Sequence, residues 1–176
     1  MEKNNEISGS PRITEGDVLE CQKNWANAIV SISCTYLDGG NFVSVAREAT
    51  SDLYGYGHHP VMFKPTKATK HPFRSTVADA MSYFVGAVAM NNDEFRGEDT
   101  GFAINGGRGW SKVVFNNHCI YINGDTAFAM GSYDFTAKDD GSMVSVEYTF
   151  GYKLCADGKM RIFLHHSSMP YFNADK

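Results

Sequence analysis

The chain has 176 residues, of which 43% are hydrophobic, and this length suits one domain with a single core. Its formal net charge of -4 argues against nucleic acid or an anionic membrane as the main partner. No apolar run approaches the ~20 residues of a membrane span, which argues against a membrane protein.

The two ends of the chain are polar. Residues 1–13 contain no hydrophobic stretch and do not resemble a signal peptide. We therefore predict an N-terminal tail over residues 1–13, a single domain over residues 14–172 and a short C-terminal tail over residues 173–176. The expected location is the cytoplasm, or the chloroplast if a transit segment was removed from the parent protein.

The chain has four cysteines, and no two of them show the C-x-x-C spacing of a zinc or redox site. Cys21 and Cys34 fall in helical patterns, and Cys119 falls in an apolar strand. We expect the cysteines to be reduced and buried as small hydrophobic residues.

The first half of the chain shows the spacing of helices. Thr14 and Asp17 resemble a capping box, and the apolar residues that follow recur with helical periodicity. Gly39 and Gly40 end this first helix. The predicted helices cover residues 14–37, 41–54 and 75–90, and an extended piece covers residues 61–64.

The second half, after Gly101, has the alternation and turns of strands. Asn123-Gly124 is a typical hairpin turn. Helices followed by a strand meander predict an α+β fold, with a curved antiparallel sheet wrapped around the long first helix. The mouth between sheet and helix is a common place for a ligand. The predicted strands cover residues 101–104, 110–122, 126–136, 142–154 and 159–168.

The last strand ends in the sequence HHSS. In a regular strand, successive side chains point to opposite faces, so His165 and His166 cannot both bind one ion. A catalytic zinc site needs three converging ligands, and the other histidines show no chelating spacing with this pair. We therefore predict no metal site. Those other histidines are His58, His59, His71 and His118.

Several blocks of the sequence together resemble the iota class of carbonic anhydrases. The blocks are FKPT, SYFVG, EDTGFA, MGSYDF, VEYTFGY and FLHHSSMPY, and the resemblance extends from about Trp25 to Tyr171. The family itself resembles the association domain of calcium/calmodulin-dependent protein kinase II, a cone-shaped fold also seen in nuclear transport factor 2. The resemblance implies at least a homodimer and the reversible hydration of CO2 to bicarbonate. Some members of the family act without metal and others with Mn²⁺ or Zn²⁺, and we predict no cofactor here.

Strand alternation, together with this resemblance, gives a candidate site. Ile162, Leu164, His166 and Ser168 share one face of the last strand, and Arg161, Phe163, His165 and Ser167 share the other. A β-bulge near His165 would exchange the two faces.

We predict that Thr66, Tyr83 and Ser168 hold the water and the bicarbonate oxygens, while His166 accepts or relays the proton. Ile162 and Leu164 would supply an apolar wall for CO2.

Two other functions use the same fold. A non-catalytic assembly module would need no group of hydroxyls and imidazole beside an apolar pocket. A small-molecule binder or isomerase would need a carboxylate base in the pocket, for which Glu147 and Asp134 are the strand candidates.

Overall fold

The computed structural model describes residues 12–171. Of the predicted tails, residues 1–11 and 173–176 lie outside the described residues. Ile13, which the sequence places in the N-terminal tail, is buried, and its backbone N–H donates to the carbonyl of Gly124. The helices are α1 (Glu15–Leu37), α2 (Phe42–Leu53), α3 (Val77–Val85) and α4 (Ala87–Met90).

Side-chain caps fix where the helices begin. Thr14 accepts a hydrogen bond from the backbone of Asp17, and the Asp17 carboxylate accepts one from the backbone of Thr14, so the predicted capping box is confirmed. Asn41 caps α2 by accepting from the backbone N–H of Ser44. Each cap satisfies backbone donors that would otherwise lack a partner, which is worth ~1 kcal/mol.

Two glycines change the predicted elements. Gly86, at φ +96°, divides the predicted third helix into α3 and α4. Gly101, at φ +89°, takes a left-handed backbone that a regular strand cannot contain. The predicted strand over residues 101–104 is therefore wrong. In its place a 3₁₀ helix, Phe102–Gly107, packs against α1, where the Ser33 hydroxyl donates to the carbonyl of Ala103.

The sheet has five strands in the order β1-β5-β4-β3-β2. Strands β2 to β5 form the predicted antiparallel meander. The extended piece becomes β1, which pairs with β5 in parallel, so the sheet is mixed rather than wholly antiparallel. The strands are β1 (Met62–Lys64), β2 (Trp110–Asn123), β3 (Thr126–Ala137), β4 (Met143–Leu154) and β5 (Met160–Ser168).

The core lies between α1 and the inner face of the sheet. Trp25 of α1 is only 2% exposed and contacts aromatic rings from four strands. Such aromatic pairs add ~0.5–1.5 kcal/mol each beyond the area they bury. Trp25 therefore fixes how the sheet curves around α1. Its aromatic neighbours in the sheet are Phe115, Tyr133, Phe135, Phe150 and His165.

The cysteines do not all share one environment. Cys21 and Cys155 are buried as expected, whereas Cys119 is exposed, so the expectation of burial is wrong there. All four are free thiols. Among the described residues, no helix has the length and apolar character needed to cross a bilayer.

Candidate active site

A β-bulge at Phe163 decides which side chains of β5 face the core. Tyr152 of β4 pairs with Ile162, but the next residue, Gly151, pairs with Leu164, so Phe163 is an extra residue in β5. Gly151 makes room for the bulge, because a Cβ there would lie 2.8 Å from the Phe163 ring. After the bulge, the alternation of β5 is reversed relative to a regular strand.

The bulge puts the predicted polar residues on the outer face. His166 is exposed, and the Ser168 hydroxyl lies on the sheet exterior, 3.5 Å from the Glu147 carboxylate. Leu164 is half-buried on the same outer side, while Ile162, before the bulge, is fully buried in the core. The predicted sharing of one face by these four residues is therefore wrong.

The inner face of β5 presents His165 and Ser167 instead. They are 2% and 3% exposed, respectively. The His165 ring is held between two phenylalanines on the neighbouring strands: it stacks on Phe63 of β1 at 4.6 Å and contacts Phe150 of β4 at 4.1 Å between ring centroids. Both phenylalanines are the direct strand partners of His165, so the register of the sheet builds this cage.

A directed chain of hydrogen bonds fixes the protonation of His165. The indole N–H of Trp25, which can only donate, meets the Tyr54 hydroxyl at 3.0 Å. Tyr54 Oη lies 2.7 Å from His165 Nδ1 and has one proton left to donate there. Nδ1 is thus the acceptor, and the imidazole proton lies on Nε2, which faces the Tyr133 hydroxyl at 3.4 Å. Trp25 and Tyr54 together select this tautomer.

His165 is neutral in the folded protein. Burial lowers its pKa well below the usual value of 6.5, and the neighbouring His166 lowers it further. The hydrogen bonds of its two ring nitrogens go to the neutral hydroxyls of Tyr54 and Tyr133, neither of which stabilises a positive charge. Burial also raises the pKa of Tyr54 well above 10, so that hydroxyl keeps its proton.

This burial has a consequence for stability at low pH. The unfolded chain binds a proton on His165 near pH 6.5, and the folded chain does not. The contribution of His165 to the free energy of unfolding is therefore complete above that pH and is lost as the pH falls below it. The loss approaches about 1.4 kcal/mol per pH unit until the pKa of the folded protein is reached. We expect urea unfolding of the wild type and of His165→Phe to show a difference in stability that changes between about pH 7.5 and pH 5.5 in favour of the variant. A constant difference would contradict the neutral buried state.

A group of hydroxyls adjoins the imidazole. Thr66, in the loop after β1, donates from Oγ1 to Ser167 Oγ at 2.8 Å. Burial raises the pKa of the Tyr133 hydroxyl, and Ser167 partly opposes this rise. The structure thus brings Thr66 to the inner serine, Ser167, and not to Ser168 as predicted.

Tyr83, another of the predicted site residues, also faces the interior. It is 5% exposed and stacks on Phe102 with a ring separation of 5.4 Å. Burial raises the pKa of its hydroxyl, while the backbone N–H of Lys67, next to Thr66, lowers it. The hydroxyl therefore keeps its proton and can donate. Tyr83 also lines a small cavity of about 30 Å³, which is large enough to hold water.

Contacts of Arg74 and Glu98 hold the loop that carries Thr66. Arg74 is fully buried, pairs with Asp99 at 2.8 Å and donates its backbone N–H to the carbonyl of Phe63 in β1. Glu98 accepts backbone N–H groups of the same loop. Burial acts to raise its pKa, but these hydrogen bonds hold the pKa of Glu98 below its usual value. The loop between β1 and α3 is thereby fixed against the helical layer.

The groups that could bind a metal lie elsewhere. Within residues 12–171, one set of three His, Cys, Asp or Glu side chains has ligand atoms close enough to share an ion, and it comprises His58, Cys155 and Asp157. The donors around Ser167 are neutral hydroxyls, which are weak ligands for Zn²⁺. These hydroxyls are instead suited to form hydrogen bonds with a water molecule or a small molecule with oxygen atoms.

Sequence reasoning missed four residues of this site. Tyr54 lies in no motif, Tyr133 lies within the MGSYDF block but was given no role, and His165 and Ser167 were assigned to the wrong face of β5. One signal was available: Gly151 lies inside a strand pattern, and an isolated glycine there indicates a bulge or a close backbone approach.

Comparison with known proteins gives a single consistent result. The sequence model of the metal-independent carbonic anhydrase family matches residues 16–169. A metal-independent carbonic anhydrase from Nostoc sp. is 42% identical over 162 residues, which cover 90% of this chain and 75% of that protein.

Solved structures give the same result for the fold. A cyanobacterial iota-carbonic anhydrase in complex with bicarbonate has a TM-score of 0.84 and 40% identity, over 93% of this chain and 96% of the other. A nuclear transport factor 2-like protein from Salmonella enterica has a TM-score of 0.53 and 14% identity, over 91% of this chain and 93% of the other. The second likeness shows the cone-shaped α+β fold alone.

Proposed function

The chain belongs to the family of metal-independent carbonic anhydrases, and we propose that the inner face of β5 carries out its reaction, the reversible hydration of CO2 to bicarbonate. One observation carries the assignment: the Thr66–Ser167 hydroxyl pair, 2.8 Å apart, adjoins the buried His165 chain. A protein crystallised with bicarbonate that has the same fold and 40% identity supports this substrate. In this proposal Ser167 takes the place predicted for Ser168, and His165 is a positioning residue instead of the proton acceptor predicted at His166.

The hydroxyl pair can move protons without forming a buried charge. As the water oxygen bonds to the CO2 carbon, one water proton passes to Thr66 Oγ1, and the Thr66 proton passes to Ser167 Oγ. The Ser167 proton then passes to a CO2 oxygen, so both hydroxyls end unchanged. The product is neutral carbonic acid, which loses its proton to solvent and becomes bicarbonate. Preorganised donors lower the barrier because they need not reorient during the reaction.

Tyr83 and His165 have supporting roles in this scheme. Tyr83 keeps its proton and donates to the second CO2 oxygen, where negative charge develops. His165 donates from Nε2 to Tyr133 and orients that hydroxyl toward Ser167. His165 does not store the reaction proton, because an imidazolium between Phe63 and Phe150 would lack solvation.

Removal of metal tests this function directly. We expect chelator-treated protein, shown free of metal by elemental analysis, to hydrate CO2 in a stopped-flow assay at the untreated rate. The physical reason is that the hydroxyl relay replaces the metal-bound hydroxide, which in zinc enzymes forms because the metal lowers the pKa of water to ~7. Activity that disappears on chelation and returns with Mn²⁺ or Zn²⁺ would contradict the relay. Absence of activity in both samples would favour an assembly or binding module.

We also propose that the chain forms a homodimer through the outer face of its sheet. Tyr121 of β2 and Met130 of β3 are 61% and 53% exposed there, and Phe128, the strand partner of Tyr121, is also exposed. Apolar side chains grouped on one sheet face are typical of a protein interface. Sedimentation equilibrium should give a dimer mass for the wild type and a monomer mass for Met130→Glu. A monomeric wild type would contradict the proposal.

A further inference from the structure

A second group of side chains that could bind a ligand lies near the start of β5, at the end of the strand opposite to Ser167. His58, Cys155 and Asp157 place their ligand atoms within 4.8 Å of one another. His59 adjoins them, with Nε2 3.7 Å from Cys155 Sγ. The reaction proposed above uses none of these residues. From Cys155 to Ser167 the chain runs through a turn and nearly all of β5, roughly 20 Å along the strand.

The spacing of these atoms fits a tetrahedral metal site. Zinc binds sulfur at ~2.3 Å and imidazole nitrogen at ~2.0–2.1 Å, which makes the sulfur–nitrogen edge of a tetrahedron ~3.6 Å. The observed distance from Cys155 Sγ to His59 Nε2 is 3.7 Å, close to that edge. The ligand atoms of His58, Cys155 and Asp157 lie within 4.8 Å of one another, and rotation of the exposed His58 side chain can shorten its separations from the other two.

His59 already has the protonation that a metal ligand needs. Its Nδ1 lies 3.3 Å from the carbonyl of Pro60, an acceptor that requires Nδ1 to carry the proton. Nε2 is then unprotonated and faces Cys155. Metal-binding histidines commonly donate their second nitrogen to a backbone carbonyl in this way.

The backbone holds both halves of the group in place. In the loop after α2, the backbone N–H groups of His58 and His59 donate to the carbonyl of Gly55, and the backbone N–H of Gly55 donates to the carbonyl of Ile162 in β5. Gly55 is required there because a Cβ would lie 1.8 Å from the His59 ring. In the turn between β4 and β5, the backbone N–H of Cys155 donates to the carbonyl of Lys159.

The charges are compatible with a divalent cation. Arg161 donates to both oxygens of Asp157, at 2.9 and 2.8 Å. The carboxylate is therefore oriented. Its Oδ1 also accepts the backbone N–H of Lys159 at 3.1 Å, so Oδ2 is the oxygen that keeps a second lone pair for a metal. A set of one thiolate, one carboxylate and two imidazoles favours Zn²⁺ over Mg²⁺ or Ca²⁺.

We propose that His58, His59, Cys155 and Asp157 form an accessory Zn²⁺ site that joins the loop after α2 to the β4–β5 turn. Because the protein supplies all four ligands, no position is left for a reactive water, and the bound ion stabilises the fold without taking part in CO2 hydration. The inference is independent of the proposed catalytic relay.

Zinc titration of the full chain, freed of metal by a chelator and reduced, tests the site. We expect one Zn²⁺ per chain by competition with a chromophoric chelator, and a rise in Tm on zinc addition. Co²⁺ should give a thiolate-to-cobalt charge-transfer band. His58→Ala and Cys155→Ser should each weaken zinc binding at least about tenfold and remove the rise in Tm.

Two matched variants keep the test specific. His118→Ala and Cys119→Ser remove exposed residues of the same types on β2, and they should bind zinc like the wild type. His58 is exposed, so its variant tests the site even if Cys155→Ser fails to fold. Zinc binding that is absent in the wild type, or unchanged in His58→Ala, would overturn the proposal. CO2 hydration by His58→Ala should equal that of the wild type.

Discussion

Ser167→Ala should lower the rate of CO2 hydration by about 10²-fold or more, the effect of removing one preorganised donor from a reaction centre. Ser167 is buried and accepts the Thr66 hydroxyl at 2.8 Å, so its loss interrupts the relay. The neighbouring Ser168 lies on the outer face and supplies a matched control. Stopped-flow measurement of both variants should give a large loss for Ser167→Ala and a nearly unchanged rate for Ser168→Ala.

A double variant separates a relay from general damage to the pocket. If Thr66 and Ser167 act as one unit, Thr66→Val should cost about as much as Ser167→Ala, and the combined variant should cost little more than either. Thermal unfolding should show that the variants are folded. Full activity in Ser167→Ala, with loss in Ser168→Ala, would contradict the inner site.

His165→Ala should have the largest effect on stability. The change leaves a cavity between Phe63 and Phe150 and removes the hydrogen-bond partner of the buried Tyr54 hydroxyl. Replacing a large buried side chain by alanine costs ~3–5 kcal/mol, which lowers the Tm of a chain of this length by roughly 2–4 °C for each kcal/mol. His166→Ala, at an exposed position, should change stability by less than about 0.5 kcal/mol. Calorimetry of the two variants measures the difference.

A test of the catalytic role of His165 needs a variant that still fills the space between Phe63 and Phe150. His165→Phe fills the space but cannot donate to Tyr133, so kcat should fall at least about tenfold, as for other residues that position a reacting group. The KM for CO2 should change little, because the apolar walls remain. A variant with wild-type kcat would show that His165 is only a core residue.

The helices and most strands follow from local chemistry, and the sequence predicted them well. The capping box at Thr14 and the turn at Asn123-Gly124 depend on residues within four positions of each other. The exceptions were Gly86 and Gly101, whose positive φ values depend on tertiary packing. The strand over residues 101–104 failed for this reason.

The face of β5 was predicted wrongly, because one extra residue reverses it and Gly151 signals a bulge without fixing its position on the partner strand. The bulge at Phe163 depends on contact between two strands, Phe163 in β5 and Gly151 in β4, and no local spacing records that contact. Family resemblance indicated the HHSS block as a candidate site but did not specify which histidine and which serine. Tyr54 follows α2 and reaches His165 across 111 positions of sequence, so only the folded chain reveals it.

A crystal structure of this chain with bound bicarbonate would test the central claim most directly. The relay predicts the anion on the inner side of β5, with its oxygens within hydrogen-bond distance of Thr66 Oγ1, Ser167 Oγ and Tyr83 Oη. Bicarbonate bound on the outer face against His166 and Ser168 would contradict it.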